Sequence, residues 1–276
     1  MSQGYEALHD GAAWMDLSAR GRMAARGRDR VRFLHNVSSN DVKAMAPGDT
    51  CYAFLLSPQG RIQADLHLIC FEDHFLIDTE PELREKVRQQ ILKYKVADQV
   101  ELEDVTESTA SIGVEGPRSG EVRIPAGDWF TAPLSITGQA GFRIYCSPEA
   151  VPELIAEIER AGARAASGED ARTVRIENGK PRYGEDIRDT SLPQETGQMQ
   201  AVSFQKGCYI GQEIVERIRA RGHVNRVLER IELAGGEAVG AGTVLTVDGR
   251  QAEVTSSAWS PRAGKVVALA YVRQTG

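Results

Sequence analysis

Apolar and polar residues in the N-terminal part of the chain alternate with two different periods. Residues 52–56 and 62–71 follow the two-residue period of β-strands and are joined by a Ser-Pro-Gln-Gly turn. Apolar side chains recur with a helical period over residues 31–37, behind Asp29 as a candidate cap, and again over residues 83–94. The sequence therefore predicts a helix, a strand hairpin and a second amphipathic helix, in that order.

The same order of strand and helix returns further along the chain. Residues 142–145 predict a strand, and a second amphipathic helix follows it. Thr79 and Glu82 have the spacing of a capping box, and Ser147 with Pro148 has that of a cap followed by proline at the first helical position. The repeated order predicts two related α+β lobes of about 100 residues each.

The pattern changes after about residue 226. Short β-rich runs are then separated by Gly-Gly, Asp-Gly and Ser-Pro turns, which is typical of a small all-β barrel. We therefore predict an α+β fold with a first lobe over residues 1–108, a second lobe over residues 109–225 and a C-terminal barrel over residues 226–276.

Composition and charge are those of an ordinary globular chain. The 276 residues carry 33 Lys and Arg against 39 Asp and Glu, a formal net charge of −6, and 41% are hydrophobic. These values exclude disordered and collagen-like classes. No apolar run approaches the roughly 18 residues that a membrane helix needs. The acidic N-terminal residues and the lack of an apolar h-region predict no secretory signal and a cytoplasmic location.

Cysteine spacing argues against a resident metal or a disulfide framework. The four cysteines are Cys51, Cys70, Cys146 and Cys208, and no two of them have Cys-x-x-Cys spacing. A zinc ribbon, a self-contained iron–sulfur site and a disulfide scaffold are therefore not predicted, and we expect no metal ligands.

The sharpest local motif is the octapeptide Lys-Gly-Cys-Tyr-Ile-Gly-Gln-Glu, residues 206–213. Apolar residues at helical spacing follow it, so Cys208 is predicted at or just before a helix N-terminus, where the helix dipole and the charge of Lys206 would favour a thiolate. Such a cysteine could be a nucleophile, a redox sensor or one ligand of a shared metal. The competing interpretation is a small buried hydrophobic residue.

Acidic residues form two further candidate sites. Asp186 and Glu195 lie in polar segments, and a carboxylate there could accept both hydrogen bonds of an amidine-like edge such as that of a pterin. Asp65 and His67 share one face of the predicted strand and could handle protons. The alternatives are solvated loop charges for the first pair and a polar, solvent-facing strand for the second.

Arginines are concentrated in two runs, over residues 20–32 and 217–230. In an acidic protein such runs suggest an anionic ligand, such as polyglutamate, phosphate or RNA, unless the arginines pair with nearby acids. Few aromatic residues interleave them, and no phosphate-binding glycine motif precedes a helix. The second run includes Arg226.

The octapeptide resembles the signature of the YgfZ-type folate-binding proteins. These belong to the superfamily of the glycine-cleavage T-protein, a tetrahydrofolate-dependent aminomethyltransferase. Weaker matches extend from about Asp16 to Val272, among them residues 175–184 and the segment that leads to Glu195. The chain departs from the transferases at Ala64-Asp65, where they have Asp-Asp, and the transferases lack the cysteine octapeptide.

The resemblance implies a three-domain ring that binds tetrahydrofolate, or a one-carbon derivative of it, in a central channel. It implies that Glu195 and Asp186 meet the pterin. The residues it assigns to the family-specific site are Lys206, Cys208, Tyr209, Gln212 and Glu213. It also favours an anionic folate tail over RNA as the ligand of the arginine runs, with Arg226 as a binding residue.

Two functions follow from the resemblance, and whether the protein is an enzyme is left open. The main hypothesis is a folate-binding accessory protein for iron–sulfur cluster assembly or repair, with effects on tRNA thiomethylation, which uses Cys208 toward iron–sulfur client or assembly proteins. The alternative is a folate-dependent one-carbon transferase, an aminomethyltransferase or demethylase, in which Asp65 orients the folate nitrogen that receives the carbon. A third hypothesis, an RNA-binding module, is opposed by the net charge of −6.

Overall fold

The hydrophobic periods of the sequence become helices and strands in a computed structural model, which describes residues 1–274. The α-helices of that part of the chain are α1 Gln3–Asp10, α2 Arg30–Val37, α3 Arg84–Lys93, α4 Val151–Arg160, α5 Gly168–Glu177 and α6 Gln212–Arg221. The strands are β1 Ala13–Asp16, β2 Gly21–Arg26, β3 Thr50–Leu56, β4 Ile62–Cys70, β5 Phe75–Thr79, β6 Glu101–Asp104, β7 Ala110–Glu115, β8 Trp129–Ala132, β9 Gly141–Cys146, β10 Arg164–Ala165, β11 Arg226–Leu233, β12 Val244–Val247, β13 Arg250–Ser260 and β14 Lys265–Arg273.

The contacts divide the chain into two units, each built from segments that are distant in sequence. Unit 1 consists of residues 1–19, 107–181 and 228–273, and unit 2 of residues 20–106 and 182–227 with Gln274. The segment with the octapeptide thus packs with the β-strands of the first predicted lobe. The predicted domain boundaries at residues 108 and 225, and the ring arrangement, stay predictions.

Unit 2 is built on an antiparallel sheet in the order β3-β4-β5-β2-β6. Strand β4 explains how the sheet is buried, because its side chains alternate: Leu66 and Leu68 are buried in the core, while Asp65 and His67 lie half-exposed on the other face. Helices α2 and α3 contribute the apolar side chains that complete this core.

Unit 1 contains two sheets. One has the order β10-β1-β7-β9-β8 and packs with the apolar faces of the unit's helices, and the other is a curled antiparallel sheet in the order β11-β14-β13-β12. Helix α5 contacts β13 and β14 of the curled sheet. The fold is therefore mixed α/β, and the C-terminal sheet is a half-barrel where the sequence predicted a barrel.

Most predicted elements are present, but the three predicted caps are wrong. Asp29 stands at the N-cap of α2 without a side-chain cap hydrogen bond, and its carboxylate accepts instead from the amide of Gln99 at 2.8 Å. The strand hairpin, helix α2, the strand β9 and the C-terminal strands are confirmed. The capping box is not formed: a 3₁₀ turn at Pro81–Leu83 precedes α3, and the Thr79 hydroxyl donates instead to the carbonyl of Asp65 at 2.8 Å. Ser147 likewise makes no side-chain cap, because a 3₁₀ turn at Pro148–Ala150 precedes α4. Among the described residues, no helix is long and apolar enough to cross a lipid bilayer.

Candidate functional site

The outward face of the β3–β4 hairpin in unit 2 carries the first group of candidate residues. The hydroxyl of Tyr52 donates to Oδ2 of Asp65 at 2.8 Å, and the ring of Tyr52 lies 4.9 Å from the ring of His67. The hairpin register places Tyr52 directly opposite His67, and its hydroxyl reaches Asp65 on the same face. The predicted shared face of Asp65 and His67 is therefore confirmed, and Tyr52 is added to it.

Asp65 has an unusual electrostatic environment for a carboxyl group. Loss of hydration and the negative charge of Glu80 raise its pKa to about 6, although the hydrogen bond from Tyr52 and the charge of Arg20 oppose this shift. A carboxyl group with a pKa near neutrality can exchange a proton at physiological pH, which is what general acid–base catalysis requires.

A buried ion network lies beside Asp65. Arg20 donates through Nε to Oδ1 of Asp78 at 2.7 Å and also binds Glu80. Arg182 binds Glu80 at 3.0 Å and Glu82 at 2.7 Å, so the network joins strand β5 to the segment that begins at residue 182. Arg20 was predicted as part of an anion-binding run. The structure instead supports the alternative that it pairs with neighbouring acids.

Other arginines of the first run also bind protein groups within unit 2, either backbone carbonyls or acids. Arg22 is fully buried and donates to the carbonyls of Arg20 and Thr106. Arg32 forms an ion pair with Asp98 at 2.8 Å. These arginines hold the sheet and its loops together.

Glu195 and Asp186 are both buried, at 7% and 0% exposure, so the interpretation as solvated loop charges is wrong. Glu195 ends the 3₁₀ turn Pro193–Glu195 and accepts a hydrogen bond from the amide of Leu192 at 2.9 Å and one from Nε of Arg226 at 3.1 Å. Asp186 accepts a hydrogen bond from the amide of Arg182 at 3.0 Å. The structure thus joins Glu195 with Arg226, two residues that were predicted separately.

The octapeptide enters α6 as an extended loop. The N-cap of α6 is Gly211, and Tyr209 to Gly211 separate Cys208 from the helix, so the thiol does not occupy the cap position. Gly211 adopts a left-handed conformation with φ +83°, and a Cβ atom there would lie 2.5 Å from the carbonyl oxygen of Ser57. Glycine is therefore required where the octapeptide approaches the β3–β4 turn. Cys208 is exposed, which excludes the buried-hydrophobe interpretation.

The side chain of Lys206 binds backbone carbonyls at and just beyond the end of helix α2. Its ammonium group donates to the carbonyl oxygens of His35, of Ser38 at 2.6 Å and of Asn40 at 2.9 Å. Burial lowers the pKa of Lys206 to about 8. The His35 carbonyl lies in the last turn of α2 and that of Ser38 at its C-cap, where a helix leaves carbonyls unsatisfied and its dipole favours a cation; Asn40 lies just beyond.

The remaining predicted residues have different environments. Tyr209 is buried in the core of unit 2, and its ring lies 5.1 Å from the Lys206 ammonium. Gln212 is the half-buried first residue of α6, whereas Glu213 is exposed and pairs with Arg217 at 2.5 Å. The functional roles assigned to these residues stay predictions. Among residues 1–274, no group of three or more His, Cys, Asp or Glu side chains is arranged to hold a metal ion.

The chain is similar in sequence to a known domain family and to several named transferases. Residues 1–126 match the GCVT N-terminal domain family. An aminomethyltransferase of Rubrobacter xylanophilus is 29% identical over 291 residues, which cover 97% of this chain and 78% of that protein. A putative chloroplastic transferase of Arabidopsis thaliana is 24% identical, over 98% of this chain and 67% of the relative.

The fold has a close counterpart among solved structures. The glycine cleavage system aminomethyltransferase T from Bartonella henselae superposes with a TM-score of 0.87 at 20% identity, over 98% of this chain and 81% of that chain. This likeness establishes the fold. The sequence matches are to proteins named aminomethyltransferase or putative transferase, which this chain resembles over nearly its whole length.

Proposed function

We propose that this protein is a folate-dependent one-carbon transferase of the T-protein superfamily. Most of its similar proteins are named aminomethyltransferase, and aminomethyltransferases of this family use tetrahydrofolate. The observation that carries the proposal is Asp65, a half-buried carboxyl group with a pKa of about 6 on the outward face of β4. This function was the alternative at the sequence level, and it is better supported than the iron–sulfur hypothesis.

The environment of Glu195 fits a pterin. The pterin N3–H and 2-amino groups are two adjacent donors, and a carboxylate presents two matching acceptors. Each oxygen of Glu195 already accepts one protein hydrogen bond, from Leu192 or Arg226, and each has a further lone pair. The charge of Arg226 offsets the cost of burying this carboxylate. Glu195 would therefore hold the pterin, with Arg226 positioning the carboxylate.

Asp65 would act at the folate nitrogen. Tetrahydrofolate, when bound, supplies the nitrogen that accepts the carbon unit. Tyr52 binds Oδ2 of Asp65, so the second oxygen can orient that nitrogen by a hydrogen bond. Because the pKa of Asp65 is near 6, the carboxylate form is the main form at neutral pH and can take up a proton.

The test is formation of methylene- or methyl-tetrahydrofolate from an aminomethylated carrier protein or a methyl donor. The wild-type protein is expected to form one of these folate products. Glu195→Gln is expected to weaken tetrahydrofolate binding about tenfold or more, because one of the two matched acceptors becomes a donor. Gln200→Glu, the reverse exchange at an exposed position of the neighbouring turn, is the control. Absence of turnover above background with every carbon donor would reject the proposal.

A second function is favoured by one separate observation. Of the four cysteines, all within the described residues, only Cys208 is exposed. This supports an accessory role toward iron–sulfur proteins through its thiol, with folate bound in the same site. Cys208→Ala should then leave folding and folate binding intact but abolish support of an iron–sulfur enzyme in cells. Full support by this variant would reject the thiol role.

A further inference from the structure

The octapeptide is tied to helix α2 by a reciprocal pair of contacts. In one direction, the Lys206 ammonium donates to the backbone carbonyl of His35 and to two carbonyls beyond it. In the other direction, Nε2 of His35 lies 3.0 Å from the backbone carbonyl of Lys206. His35 is 3% exposed, so both contacts are made away from solvent. The two residues are far apart in sequence and yet each binds the backbone of the other.

The neighbours of His35 fix which nitrogen carries its proton. The amide of Lys43 can only donate, and it lies 3.4 Å from Nδ1, so Nδ1 accepts and Nε2 carries the hydrogen. Oδ1 of Asp41 lies 3.3 Å from the same Nδ1 and would bind it only in a protonated ring. Burial and the charges of Lys206 and Lys43 lower the pKa of His35, which favours the neutral ring. His35 therefore donates through Nε2 to the Lys206 carbonyl.

This contact fixes one side of the octapeptide, and Gly211 fixes the other. Gly211 approaches the β3–β4 turn so closely that no side chain fits there. Gly207 and Cys208 follow Lys206 directly, and Tyr209 inserts its ring into the core. Cys208 is thus an exposed residue on a short segment that is anchored on both sides.

We propose that His35 is the positioning residue of the octapeptide, and that its donation to the Lys206 carbonyl sets the placement of Cys208 and Tyr209. The inference rests on the proposed function in that the octapeptide is taken to serve the folate site. The contact itself is independent of folate. His35 touches neither ligand nor reacting atoms in this proposal and acts only through Lys206.

The test compares His35→Leu with His35→Gln in the folate-free, full-length protein. Leucine fills similar space without a donor, whereas the side-chain amide of glutamine can replace the Nε2–H group. The first measurement is the rate of trypsin cleavage between Lys206 and Gly207, which requires the lysine side chain to leave its three carbonyls. We expect about a tenfold increase in His35→Leu, because the donor to the Lys206 carbonyl and the acceptor for the Lys43 amide are both lost. His35→Gln should stay within about twofold of the wild type.

The second measurement is alkylation of the individual cysteines, followed by peptide mass spectrometry. The alkylation rate of Cys208 should change in His35→Leu and return to the wild-type value in His35→Gln, while the buried Cys70 and Cys146 stay protected in both variants. Unchanged cleavage and alkylation in His35→Leu would overturn the proposal. So would exposure of Cys70 and Cys146, which would make His35 an ordinary core residue. Neither measurement uses folate, so a failure of the proposed function would be seen separately.

Discussion

Each unit of the molecule carries a carboxyl group on a β-strand, fully buried at Glu115 and half-buried at Asp65, and the two groups have opposite surroundings. In unit 1, Glu115 at the end of β7 is fully buried and accepts four hydrogen bonds. Its donors are the hydroxyl groups of Ser135 and Thr137 and the amide groups of Ile136 and Thr137. Three of these hydrogen bonds go to Oε2 and one to Oε1, so both carboxylate oxygens are bound by the loop of residues 135–137.

In unit 2, Asp65 has a different set of neighbours. Tyr52 donates one hydrogen bond to it, and the nearby charge of Glu80 has the same sign as its own. Burial alone therefore does not show that a carboxylate takes part in proton transfer. Glu115 organises a loop through its four donors, whereas Asp65 has a single side-chain donor and a like charge nearby that helps raise its pKa.

The largest expected effect comes from Asp65→Asn. The amide keeps the shape of the side chain but cannot take up a proton, so turnover to methylene-tetrahydrofolate should fall about a hundredfold or more. The free energy of unfolding, measured with urea, should not decrease, because the repulsion from Glu80 is removed. Retention of wild-type turnover in this variant would show that Asp65 is not the acid–base group.

The matched change in unit 1 is Glu115→Gln, and it should have the reverse outcome. A neutral amide accepts through one oxygen only and brings its own donor toward the hydroxyl and amide groups of residues 135–137. We expect the free energy of unfolding to fall by about 2–3 kcal/mol, with turnover per folded molecule unchanged. A loss of turnover at full stability would remove the distinction between the two carboxyl groups.

The sequence predicted those parts of this picture that depend on local periodicity. The two-residue period of β4 correctly placed Asp65 and His67 on one face. The capping box at Thr79 and Glu82 failed because both side chains have partners from other segments: Thr79 donates to strand β4, and Glu82 binds Arg182. A local motif is outcompeted when tertiary contacts offer its side chains better partners.

The missed residues of the site share this dependence on distant contacts. Tyr52 gains its role from the register of the β3–β4 hairpin, which no composition or spacing reveals. His35 lies on the predicted helix α2, but its partner Lys206 comes from the other end of unit 2. The octapeptide itself was recognisable, whereas its anchoring to α2 and to the β3–β4 turn depends on long-range packing.

Glu80→Gln tests the contribution of the neighbouring charge to the behaviour of Asp65. Removing the negative charge of Glu80 lowers the pKa of Asp65, and release of Arg20 from its partner acts in the same direction. If turnover requires the carboxylate, the wild-type rate falls as the pH drops through about 6, and that acid limb should move to lower pH in the variant. At about pH 5.5 the variant should keep about two- to threefold more of its maximal rate than the wild type. An unmoved acid limb would assign the limb to another group.

Tyr52→Phe should give the smallest effect, and with the opposite sign. The hydrogen bond from Tyr52 stabilises the carboxylate form of Asp65, so its removal raises the pKa of Asp65. The acid limb of the pH–rate profile should therefore move to higher pH, with a loss of about twofold in rate near pH 6 and little change at about pH 8. Glu80→Gln removes a negative charge near Asp65, and Tyr52→Phe removes a hydrogen-bond donor to it. Opposite shifts of the acid limb in the two variants therefore identify Asp65 as the titrating residue. Shifts in the same direction would mean that the limb reports a general loss of stability in unit 2.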